Sequence, residues 1–236
     1  MIEKKLQEAK KLLAEVVGEL HSRGCESRKL NRAKQFMAWI DSNELSLSFC
    51  QRNLVSVKKY ALDSQHKAVT LIEYRTMREG IEDASFFICP KEQVSCEFEA
   101  FITLCNHHLH HYQEWSIANM TPTNVPEFVD QWLLPELQEY DFTPLSENQI
   151  QDEVSWITEE IIKTIMNERF ASERLEYPSQ WGIFVNRQLV ADSESYVLPI
   201  SERFLSGLAL TLQWNDKLMF YETDKEYVLF SWATGA

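Results

Sequence analysis

Residues 208–232, LALTLQWNDKLMFYETDKEYVLFSW, decide the fold class. Leu208 to Trp214 is an apolar run, Asn215-Asp216 turns the chain, and Lys217 to Glu222 runs back. Thr223 to Glu226 turns it again into Tyr227 to Trp232. Short apolar runs closed by polar turn residues read as antiparallel hairpins. Upstream, Trp181–Val185, Gln188–Ala191 and Tyr196–Ile200 have the same character, which begins after Tyr177-Pro178.

Before that point the pattern is helical. Ile2, Leu6, Ala9, Leu13, Val16, Val17 and Leu20 fall at helical spacing and end near Gly24. A second helix is predicted from Ser27 to Ile40. Asp41-Ser42-Asn43 offers caps for a third through Leu45, Phe49, Leu54 and Val57, although Leu45 to Phe49 also alternates as a strand would. Val69, Ile72 and Met77 predict a fourth, ending near Gly80. Pro90 suits the first turn of the next helix, whose stripe is Phe98, Phe101, Ile102, Cys105, Leu109 and Tyr112. Val125 to Tyr140 reads as a helix kinked or interrupted at Pro135. Ser146 and Gln149 form a capping box for a long helix with Ile150, Val154, Ile157, Ile161, Ile165 and Phe170 on one side. The expected fold is α+β: a body of about six to seven helices over 1–176, then a small antiparallel β subdomain over 177–236, packed on it or lying beside it.

Charge is segregated along this frame. Residues 1–80 hold fifteen Lys and Arg against ten acids, whereas 81–160 hold sixteen acids against Lys91 alone. An ordinary exposed helix mixes both signs for support at i, i+4. Acids expected to face outward are Glu99, Glu114, Glu127, Asp130, Glu136, Glu139, Asp141, Asp152, Glu153, Glu159 and Glu160. Such a surface speeds encounter with a basic partner and repels nucleic acid. Arg23, Arg28, Lys29, Arg32 and Lys34 form a basic stretch with little aromatic interleaving, so direct nucleic-acid binding is not expected.

The acidic stretch also holds His107-His108-Leu109-His110-His111. On a helical wheel His107, His111 and Glu114 lie opposite the apolar stripe, with His110 on the flank. Two imidazoles and a carboxylate could hold Zn²⁺ or another divalent ion, with a fourth ligand from elsewhere; no H-E-x-x-H or second cluster completes the site. The plainer reading is a solvated or partner-contacting face titrating near its ordinary range.

Catalytic motifs do not emerge. The six glycines stand too far apart for G-x-G-x-x-G, a Walker loop or a G-x-S-x-G elbow. Cys105 and His108 could touch on a helix, but an acidic setting does not generate a thiolate. Glu159 and Glu160 point about 100° apart on a helix and do not face one site. Five cysteines without C-x-x-C suit a reducing compartment, and no apolar run is long enough to span a bilayer, so a cytoplasmic setting is expected. The leading expectation is a non-enzymatic protein that binds a basic protein partner, in an immunity, antitoxin, nucleic-acid-mimic or adaptor role, with no catalytic residues and no cofactor. A metal-dependent enzyme or metal-binding module on the His107–His111 face is the first alternative. A structural subunit of a larger assembly is the second.

Overall fold

The chain 208–232 folds as its turns demand: β6 (Phe204–Gln213), β7 (Asp216–Thr223) and β8 (Glu226–Ala233) pair in sequence as antiparallel hairpins. The computed structural model describes residues 11–13, 15–16, 45–75, 84–112, 120–171, 182–190 and 204–234, without the side chains of 158, 161–171 and 190. The chain divides into two compact units, Met1–Asn53 and Leu54–Ala236.

In the first unit, α1 (Leu47–Arg52) is capped by Ser46, whose Oγ accepts the Phe49 N–H at 3.2 Å. The helical alternative therefore holds from Leu47, but the helix ends at Asn53 instead of running on through Leu54 and Val57. The predicted helices over 2–20 and 27–40 lie outside the described residues, apart from helical 11–13 and 15–16.

The second unit is α+β, but its sheet is not a small C-terminal meander. Among the described residues eight antiparallel strands form one sheet in the order β3-β6-β7-β8-β2-β1-β4-β5, and the strand predicted over 196–200 lies outside them. Its centre comes from residues expected to be helical or left unassigned: β1 (Thr70–Arg75) and β2 (Ala84–Pro90). β3 (Thr143–Leu145) forms one edge, and the hairpin of β4 (Gly182–Val185) and β5 (Gln188–Val190) forms the other. Ile72 belongs to β1, not to a helix ending near Gly80. β2 reads Ala-Ser-Phe-Phe-Ile-Cys-Pro, a run buried on both faces, and such a run shows no alternation from which to recognise it.

Helices cover both faces. On one, Ile150, Val154 and Ile157 of α6 (Glu147–Ala171) join Ile72, Phe86, Val228 and Phe230 in a single core. The capping box starts α6 as predicted: the Gln149 N–H reaches Ser146 Oγ at 3.4 Å and the Ser146 N–H reaches Gln149 Oε1 at 3.0 Å. Gly207 of β6 gives this helix its approach, because a Cβ there would run into the Ile150 side chain and lie 3.2 Å from Tyr221 Cβ. Gly207→Val is expected to destabilise by about 1–3 kcal/mol through overpacking, read as a fall in the denaturant midpoint.

On the other face lies α3 (Glu97–Tyr112), with Phe101 against Phe220 at 5.3 Å. Its far side is covered by α2 (Leu54–Asp63), where Tyr60 meets Phe98 edge-on at 5.6 Å. α3 starts at Glu97, later than Pro90 suggested, because Pro90 ends β2 and a 3₁₀ turn, Lys91–Gln93, intervenes. The interruption foreseen near Pro135 is a π-helical turn, Val129–Leu133, between α4 (Val125–Phe128) and α5 (Leu134–Gln138). Pro135 has no N–H to give to the preceding turn, so the helix widens just before it.

Candidate functional site

Three polar residues cross the middle of the sheet in one register. Glu73 on β1 pairs with Ser85 on β2, and Ser85 pairs with Ser231 on β8. Each meets a side chain from the last turn and a half of α3. His111 Nε2 lies 3.3 Å from Glu73 Oε1, the Tyr112 hydroxyl donates to Ser85 Oγ at 3.2 Å, and His108 Nε2 lies 3.3 Å from Ser231 Oγ. Phe87, one row along, takes the rings of His108 and His111 edge-on at 5.6 and 5.7 Å. Arg75 completes the group, with Nη2 2.7 Å and Nε 3.2 Å from the same Glu73 Oε1 and its guanidinium over Phe184.

The histidines therefore do not form the exposed face that the wheel suggested. His107 bonds through Nε2 to the Ser64 carbonyl at 3.2 Å, beside Asn106, whose Nδ2 donates to Ala61 O at 3.0 Å. Both carbonyls belong to the end of α2 and the 3₁₀ turn after it, Ser64–His66. Burial lowers the His107 pKa to about 4, against the opposing bond to Ser64, with a smaller push from the charge of His110. Burial lowers that of His108 to about 3, assisted by His111, and its Nδ1 is sealed from solvent without a partner. His110 is lowered by partial burial, then by the nearby charges of Arg187 and His111.

His107 and His111 hold different partners, on Ser64 and Glu73, and Glu114 lies outside the described residues. Among the described residues no group of three His, Cys, Asp or Glu is placed to hold a metal ion. The polar row is chemically a strut: burial raises the Glu73 carboxyl, but bonds from His111 and Arg75 and the charge of Arg75 outweigh it and hold the pKa below the usual range.

The carboxylates expected to face outward divide into two sets. Glu99 turns inward, a correction to that expectation: Lys67 Nζ lies 2.7 Å away, Ser95 gives it both N–H and O–H, and these outweigh burial to keep its pKa low. Glu136 is half-buried and accepts the Tyr140 hydroxyl at 3.1 Å, and Glu153 pairs with Lys217 at 3.0 Å. Glu160 is half-buried. Glu127, Asp130, Glu139, Asp141, Asp152 and Glu159 are exposed, with Lys58 3.9 Å from Asp130.

Sequence reasoning missed the tryptophans among these acids. Trp132 is 38% exposed on the π-helical turn and Trp156 is 57% exposed on α6. The available signal was a large aromatic among carboxylates on the polar side of an amphipathic helix. Among the described residues no helix is long and apolar enough to cross a membrane. A search of family models, of curated proteins and of solved structures finds no match to this chain.

Proposed function

We propose that the unit Leu54–Ala236 is a recognition module that binds a basic protein partner through its acidic helical surface. The observation that carries this reading is the company of the exposed acids on two helical faces: Trp132 stands near Glu127 and Asp130 on the segment beside α2 and α3, Trp156 stands near Asp152 and Glu159 on α6, and residues 92–160 contain no Lys or Arg. A merely solvated surface gains nothing from exposed indoles, whereas Trp is enriched where partners anchor. The carboxylates supply steering and register, and the indoles supply contact area. Inhibitor, immunity-type and adaptor roles all share this mode of recognition. The unit carries 29 acids against 13 Lys and Arg, which opposes pairing with a second copy or with nucleic acid through the same face.

Calorimetric titration of the full chain with a synthetic Arg/Lys-rich peptide tests the reading. Binding is expected, and its affinity is expected to fall at least about tenfold between about 0.05 and 0.3 M salt as screening sets in. Glu127→Lys combined with Glu139→Lys weakens it further. An affinity indifferent to salt, or equal binding of an acidic peptide of the same length, overturns the proposal.

A further inference from the structure

Trp156 sits at the centre of a helix face. Asp152 and Glu153 precede it by four and three residues, and Glu159 and Glu160 follow it by three and four. These spacings place all four carboxylates around the indole, Asp152 and Glu159 on one side and Glu153 and Glu160 on the other. Glu153 already holds an ammonium, since Lys217 reaches it from β7 at 3.0 Å. Asp152 and Glu159 are exposed.

The Trp156 ring rests edge-on against Trp232 of β8, with centroids 6.4 Å apart and planes at 77°. Trp232 is the cross-strand neighbour of Lys217 and is only 5% exposed. Its indole N–H is buried without an acceptor. A buried donor left unpaired costs stability, so this position lacks a hydrogen-bond acceptor. The face thus offers an exposed π surface with two outward carboxylates beside it.

Few occupants satisfy both. A second copy docking through the same face, a nucleic acid or an anionic lipid surface brings negative charge to negative charge. A purely apolar partner would bury the carboxylates unpaired. A guanidinium is planar and weakly hydrated, stacks on indole, and gives forked N–H donors to carboxylates.

We infer that the Trp156 face of α6 docks an arginine-bearing segment of a protein partner, with the guanidinium over Trp156 beside Asp152 and Glu159. This rests on the acidic surface being a site for a basic partner, and it names the side chain that the surface selects.

Two peptides, identical except for arginine or lysine at every basic position, are titrated into the full chain at one salt concentration. Wild-type protein is expected to bind the arginine peptide about fivefold or more tightly than the lysine peptide, because only arginine both stacks and forks. Trp156→Ala reduces arginine-peptide affinity about tenfold and abolishes the preference, and Trp156→Phe retains part of it. Asp152→Asn with Glu159→Gln weakens both peptides. Thermal midpoints confirm that the variants remain folded, and the Phe variant keeps the test valid if the Ala variant does not. Unchanged arginine-peptide affinity in Trp156→Ala, with Glu127→Lys and Glu139→Lys still weakening it, overturns this inference and leaves the acidic-surface reading standing. If neither peptide shows salt-sensitive binding to the wild type, both readings fall.

Discussion

Acidification from pH 7 to pH 5 is expected to remove about 3–4 kcal/mol of folding stability, most of it through His107 and His108. Both begin from an ordinary value of 6.5, and burial brings them to about 4 and about 3 in the folded chain. Above pH 6.5 both are neutral folded and unfolded, so they contribute no slope. As pH falls below that value, the unfolded chain takes up protons that the folded chain refuses. Each unit of pH then costs about 1.4 kcal/mol per histidine, until the folded value is reached.

Two other groups act in the same direction at lower pH. Glu73 and Glu99 have lowered folded values, so their stabilisation is present above their ordinary 4.5 and lost as pH falls further. Asp216, raised by burial, opposes them weakly. Urea melts at half-unit steps of pH read the slope directly. His108→Gln, which keeps a polar side chain but cannot titrate, should flatten it by close to one proton. A wild-type curve that stays level between pH 6.5 and pH 5 contradicts the neutral, buried assignment of both rings.

β2, which the pattern leaves unassigned, and α3, whose polar side it turns to solvent, share a physical cause, burial on more than one side. Wheel and alternation arguments assume one dry face and one wet face. They succeed for α6, whose Ile150, Val154 and Ile157 line a single face and whose capping box is visible as Ser146 and Gln149. They also succeed for the hairpins of β6, β7 and β8. β2 is covered on both faces, and α3 is covered by the sheet on one side and α2 on the other. The side of α3 opposite the apolar stripe is polar because it bonds the carbonyls of Ala61 and Ser64, not because it meets water. A clue was present: residues 100–112 contain four histidines and an asparagine but no Lys, Arg, Asp or Glu. A truly solvated helix face seldom lacks all four. The exposed acids were legible because charge itself forbids burial without a partner, and the exception, Glu99, has its partner in Lys67, thirty-two residues earlier in sequence. The Glu73 strut was not legible, since its members come from four elements joined only by sheet register.

Glu73→Ala is expected to cost about 2–3 kcal/mol, because it removes the buried acceptor that Arg75 and His111 share. The Glu73 side chain is 4% exposed, and both Arg75 and His111 converge on its Oε1. Removing it leaves the guanidinium against Phe184 and the imidazole beneath α3 without an acceptor. Glu73→Gln retains an oxygen for both and loses only charge. It should cost less, about 1–2 kcal/mol, since Arg75 is one-third exposed and can recruit water. The double variant Glu73→Leu, Arg75→Leu separates two roles for the row. If ion pairing is its only contribution, apolar side chains that fill the same space should recover most of the loss, as buried pairs often allow. If stability stays low, the Glu73–His111 contact fixes how α3 lies on the sheet, and the carboxylate is needed for that position rather than for its charge. The shift in His111 and Tyr112 ring resonances between wild type and double variant distinguishes these outcomes, because a helix that keeps its seat preserves the Tyr112 contact with Ser85.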